Sequence, residues 1–169
     1  MNKQEDDFLI LKSRLTPAHA VAAVIVLEDG RYLMQSRDRK QGIFYPGYWG
    51  LFGGAVDQGE DHLTALKREL REELGFLVRT SAYFTCFDFD FSFAGYGKLS
   101  RVFYEVPMKA SNLARLVLCE GAGMKAFTAS EILSERRVVP YDAFALWLHA
   151  NRQPFSSGEL GAGVSRSGD

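Results

Sequence analysis

Glu69, Glu72 and Glu73 place three carboxylates within five residues, a short distance after the Gly53-Gly54 pair. At about 100° per residue, Leu63, Leu66, Leu70 and Leu74 fall in one narrow stripe, the spacing of a core-facing helix edge. The same wheel puts the three glutamates in an arc beside that stripe, and Lys67, Arg68 and Arg71 on the opposite flank. Like charges at i,i+3 and i,i+4 each cost a helix roughly 0.2–0.5 kcal/mol. The arc is therefore unfavourable unless a cation sits among its members. Carboxylates next to a glycine-rich turn suit the holding of hard divalent ions over a diphosphate.

An ordinary solvent-facing helix rich in Glu and Arg would account for residues 69–74 alone. The wider spacing is harder to dismiss. Gly54 is followed by five free positions, Glu60, seven free positions, and then Arg68-Glu69-Leu70-x-Glu72-Glu73-x-Gly75-Phe76. Seven fixed residues at average usage, plus two apolar positions, match by chance roughly once in 10⁹ starting points.

The elements around this helix follow from local pattern. His19 to Leu27, rich in Val and Ala, reads as a buried strand, Asp29-Gly30 as a hairpin turn, and Tyr32 to Arg37 as the partner strand. Residues 38–48 form a loop, and Trp49 to Phe52 leads into the glycine turn. Gly75 suits a helix C-terminal stop. From Phe76 to Phe93 the chain alternates, with Phe87, Phe89, Phe91 and Phe93 on one face, read as core, and Asp88 and Asp90 on the other, facing water. Leu99 to Val106 is a further strand; 130–136 and 141–150 read as helices.

The run from Gly54 to Phe76 resembles the Nudix box of the Nudix hydrolases, with every fixed position present. The resemblance implies an α/β (α+β) fold, an α/β/α sandwich around a mixed β-sheet, which also accommodates the elements above. It implies Mg²⁺ or Mn²⁺ ligated by Glu69, Glu72, Glu73 and the Gly54 carbonyl. Arg68 and Glu60 would support loop and helix by ion pairing. Such ions polarise phosphoryl oxygens and lower the pKa of a bound water, and Glu72 or Glu73 can also serve as general base. Glu120, in a glycine-flanked loop, resembles the loop glutamate that gives a further ligand or the base in nucleotide-pool-sanitising members; a solvated loop carboxylate is the bland alternative.

For the substrate, Phe44, Tyr45, Tyr48 and Trp49 cluster before the glycine turn, where a base can stack; Trp49 itself reads as core. Arg37, at a strand end, suits a phosphate better than Arg39 or Lys40, which read as solvated. Phe52 stands where many members have proline, and the first proline after the box is Pro107. The proline of the ADP-ribose type and the NADH pyrophosphatase pattern are absent, and the dinucleoside-polyphosphate tyrosine is not clearly placed. Set against the family's subtypes, these absences favour a (deoxy)nucleoside triphosphate or a nucleotide-sugar, without choosing between them. The rivals are a nucleotide-sensing module without turnover and an isoprenoid diphosphate isomerase-like enzyme, whose nucleophilic cysteine has no recognisable counterpart in Cys86 or Cys119.

The 169 residues, 47% hydrophobic and 24% charged, fit one globular domain over 16–150, with 1–15 as an extension and 151–169 as a disordered tail. A net charge of −1 with dispersed basic residues gives no reason to expect nucleic acid as a partner. No apolar stretch is long enough for a membrane span, and the start MNKQEDD is unlike a signal peptide. Two cysteines make neither a disulfide framework nor a zinc site. The expectation is a cytoplasmic protein acting on a small nucleotide, with a homodimer left open.

Overall fold

The computed structural model describes residues 15–152; nearly all of the expected extension, and the tail beyond Arg152, lie outside the described residues. β1 (Ala20–Leu27) and β2 (Tyr32–Ser36) form the expected hairpin, with Ile25 opposite Leu33. β3 (Trp49–Gly50) pairs with the far end of β2, and β5 (Lys98–Met108) runs parallel to β1 along its whole length. β4 (Ala82–Asp90) is antiparallel to β5, and β6 (Gly123–Phe127) pairs with all of β2. The sheet is mixed, in the order β3-β2-β1-β5-β4 with β6 on β2. The helices are α1 (His62–Leu74), α2 (Ala110–Leu113), α3 (Ala129–Ser134) and α4 (Pro140–Ala150).

Because side chains alternate along a strand, β1 feeds two cores. Val21, Ala23 and Ile25 meet Leu66, Leu70 and Leu74 of α1. Ala22 and Val24 meet Leu51, Phe103, and Ala145 and Leu146 of α4. A strand covered on both faces is apolar throughout, which is why Val and Ala fill it. Each buried leucine of α1 contributes about 1.5–3 kcal/mol. The result is the expected α/β/α sandwich.

The aromatic run departs from the alternation. The strand begins at Ala82, not Phe76, whose N–H instead donates to the Leu70 carbonyl and closes α1. Tyr83 and Thr85 pair with Tyr104 and Phe103, leaving Phe84 as an extra residue. This β-bulge sends the Phe84 ring against His149, with centroids 4.9 Å apart. Past Asp90 a 3₁₀ turn at Ser92–Ala94 ends the strand, so Phe93 is exposed. Only Phe87 joins the core as expected, against Phe103. Asp88 and Asp90 do face water.

Candidate active site

Asp61 starts α1 by accepting the Leu63 and Thr64 N–H groups, each at 3.0 Å, a cap that fixes where the helix begins. Gly75 ends it in the left-handed region at φ 62°. Between these limits the three glutamates sit in three environments. The Glu72 side chain is 60% exposed, Glu69 is largely covered, and Glu73 is buried. Glu73 Oε2 accepts the Gly53 N–H at 2.8 Å and Oε1 accepts Gln35 Nε2 at 3.0 Å. The Glu69 carboxylate lies directly on Gly54, so close that a Cβ there would be 2.5 Å from its carbon. These contacts tie the helix to the glycine turn.

Arg68 does not stay on the flank that the helix wheel gave it. One turn separates it from Glu72, and its long side chain crosses over. Nη1 reaches Glu69 at 2.7 Å and Glu72 at 3.3 Å, while Nη2 reaches Glu60 at 2.8 Å and the Ala55 carbonyl at 3.0 Å. The signs are therefore not segregated: in this structure Arg68 is the cation among the glutamates. Its carboxylate partners raise its pKa further, so it stays charged.

One guanidinium does not cancel the surrounding negative charge. Burial pushes Glu73 up to about 7, only partly offset by its two donors, and Glu69 and Glu120 push the same way. Burial also raises Glu69 despite Arg68, with Glu72 and Glu120 adding to it. Glu120, itself exposed, is thus brought to the same cluster. The Cys119 N–H on the Glu73 carbonyl and the Ala122 N–H on the Ser36 carbonyl, both 2.8 Å, hold its loop there.

Among the described residues no three His, Cys, Asp or Glu side chains already form a metal-ligand group. Arg68 stands between Glu69 and Glu72, and Glu73 turns inward. The donor set still fits Mg²⁺ or Mn²⁺: hard oxygens only, on carboxylates that burial raises first and their acidic neighbours raise further. The Gly54 carbonyl accepts the Val21 N–H at 2.9 Å, which leaves a second lone pair.

A cleft of about 440 Å³ opens beside the cluster and shares Gly53, Gly54 and Ala55 with it. Its walls carry Arg37, Phe44, Tyr45, Phe89, Phe91, Arg101 and Tyr141. Arg37 Nε donates to the Phe44 carbonyl at 2.8 Å. Tyr48 lies behind this wall, its ring 5.6 Å from that of Tyr45, and Trp49 packs on Phe127 in the core. Phe89 and Phe91, expected in the core, line the cleft instead. Arg101 and Tyr141 had no role in the sequence reading. Arg101 pairs with the buried Asp142 at 3.2 Å and lies over the Tyr141 ring at 5.0 Å, contacts between distant segments that no local pattern announces. A larger groove, about 780 Å³, lies at the C-terminal ends of β1 and β5 and holds none of the cluster's carboxylates.

Comparison with known proteins agrees with this fold. The NUDIX domain family matches residues 16–157, and the chain belongs to the Nudix hydrolase family. The nucleoside triphosphatase NudI of Escherichia coli O139:H28 (strain E24377A / ETEC) is 44% identical over 55 residues, 32% of this chain and 38% of NudI. That match spans well under half of the relative's length. The MutT protein of Methanosarcina mazei Go1 superposes with a TM-score of 0.67 at 20% identity, over 83% of this chain and 98% of its own. The NUDIX domain of Shewanella oneidensis NrtR, complexed with ADP ribose, gives 0.64 at 17% identity, over 90% and 99%. Among the described residues no helix is long and apolar enough to cross a membrane.

Proposed function

We propose that this chain is a Mg²⁺- or Mn²⁺-dependent pyrophosphohydrolase that splits a diphosphate linkage in a nucleoside diphosphate derivative, a (deoxy)nucleoside triphosphate or a nucleotide-sugar. The carrying observation is the Glu69 carboxylate pressed on Gly54 beside buried Glu73, at the wall of an aromatic cleft. Glu69, Glu72, Glu73 and the Gly54 carbonyl would hold the ion. When bound, it supplies charge neutralisation on the phosphates and a water acidified for attack on phosphorus.

The remaining work falls to side chains. Arg37 grips a phosphate with the guanidinium nitrogens that Phe44 leaves free. Phe44, Tyr45, Phe89, Phe91 and Tyr141 give the base faces to stack on, with Tyr48 propping Tyr45. Glu120 supplies a further ligand or the base, and Arg68 keeps Glu60, Ala55 and α1 in register. A nucleoside triphosphatase among the relatives supports the triphosphate reading. The setting is cytoplasmic, with no nucleic acid or membrane as partner.

A screen for monophosphate and phosphate release, with Mg²⁺, over triphosphates, nucleotide-sugars and dinucleotides tests this reading. Turnover of one class supports it. A second reading, nucleotide binding without turnover, draws on Arg68 standing between Glu69 and Glu72, where an ion would sit. Ligand-induced thermal stabilisation with no product formed would favour that one.

A further inference from the structure

Gln35 is 4% exposed in β2, next to buried Leu33 and Met34. A buried amide is costly unless its hydrogen bonds are made, and this one makes them at the cluster. Nε2 donates to Glu73 Oε1 at 3.0 Å and, more weakly, to the Leu51 carbonyl at 3.4 Å. The amide oxygen faces the opposite segment. A Cβ on Gly121 would lie 2.9 Å from Gln35 Oε1 and 3.0 Å from the Ser36 carbonyl, at a φ of 91° that itself favours glycine. Gly121 follows Glu120 directly. Gln35 therefore touches both segments that carry carboxylates to the site, the end of α1 and the Glu120 loop.

With the Gly53 N–H on Oε2 and the Gln35 amide on Oε1, each Glu73 oxygen has one fixed donor. The carboxylate plane cannot turn, and each oxygen keeps a lone pair directed elsewhere. We propose that Gln35 is a positioning residue: its amide fixes the Glu73 carboxylate and seats the Glu120 loop, so that the two acids face a divalent ion in one arrangement. This rests on the reading of Glu73 as a metal ligand. Residues that hold ligands in place in this way typically matter 10–100-fold in metal affinity.

The test is Mn²⁺ titration of the full chain by calorimetry without nucleotide, alongside thermal melts and steady-state kinetics. Gln35→Met keeps the volume and loses the donor. Gln35→Asn keeps an amide that is one methylene too short, and serves if the Met variant does not fold. Either should bind Mn²⁺ about tenfold more weakly and lower kcat while nucleotide KM stays within about twofold. In a Glu73→Gln background the added Gln35→Met should cost clearly less Mn²⁺ affinity than in wild type, because the carboxylate it fixes is gone and only the Glu120 loop is left to seat. A folded single variant with wild-type Mn²⁺ affinity, or the full loss repeated in the Glu73→Gln background, overturns the proposal. Wild-type protein that binds no Mn²⁺ overturns the metal reading beneath it, a distinguishable failure.

Discussion

Glu69 and Gly54 are in contact: a Cβ on Gly54 would fall 2.5 Å from the Glu69 carboxyl carbon and 2.5 and 2.6 Å from its oxygens. The glycine is there because the carboxylate occupies the space of any side chain. Gly54→Ala must push Glu69 away from the turn, and a displacement near 1 Å in such a site can cost on the order of 100-fold in rate. The expected outcome is that loss in kcat at saturating Mg²⁺, with a cooperative melt retained. Wild-type kcat would mean that the Glu69 position is not critical.

The cleft wall predicts a different kinetic signature. Phe89 lies in the cleft with its ring 5.8 Å from Tyr141. Stacking on an aromatic is worth roughly 1–3 kcal/mol per base, so Phe89→Ala should raise nucleotide KM about five- to hundredfold and leave kcat nearly unchanged. An unchanged KM would place the base elsewhere.

Much of this site can be read from the sequence because helical period and spacing are local. The leucine stripe, the Asp-Gly turn and the Gly75 stop require only neighbours a few residues apart. Where the reading failed, long side chains or distant segments decided. Arg68 crosses its own helix to reach Glu69 and Glu72. The bulge at Phe84 and the turn after Asp90 break an alternation that looked continuous; between them Phe87 and Phe89 share a face, and the core covers Phe87 while Phe89 reaches the cleft. β6 is short and holds only Gly, Met, Lys, Ala and Phe, without the β-branched residues that mark strands. Gln35 looks like any polar strand residue until Glu73 and Gly121 close around it.

Acid should weaken the fold through His149. Burial keeps this imidazole below its usual range, outweighing the Glu105 carboxylate that its Nε2 faces at 2.9 Å; Nδ1 faces the Tyr32 hydroxyl, also at 2.9 Å. The unfolded chain takes its proton near 6.5, the folded chain only at lower pH. The contribution is therefore fully present above 6.5 and lost as pH falls through the folded value. Glu105 adds a loss at still lower pH: burial pushes it up, but its bonds from His149 and Arg152 hold it below the usual range. Glu73 acts the other way in this window, so the comparison isolates His149: from pH 7 to pH 5 the melting temperature of His149→Gln should lose less, relative to its own pH 7 value, than that of wild type. Identical slopes would remove His149 from the acid response.

Metal and pH should be linked through Glu73. In the metal-free protein burial raises it to about 7, from 4.5. That favours the folded state fully below pH 4.5 and is lost as pH rises through 7. A divalent ion takes only the ionised carboxylate, so Mg²⁺ should raise the melting temperature more at pH 8 than at pH 6. A shift independent of pH would put the ion away from Glu73.

The most direct test is kcat for monophosphate release by Glu72→Gln against wild type, on whichever nucleotide the screen selects. The Glu72 side chain is 60% exposed, so the change leaves the core intact and any loss is chemical. Metal-dependent hydrolysis at this cluster predicts a fall of roughly 10³-fold, about 4 kcal/mol of transition-state stabilisation, with an unchanged melt. A Glu72→Gln protein that keeps near-normal Mg²⁺-dependent turnover would contradict the account.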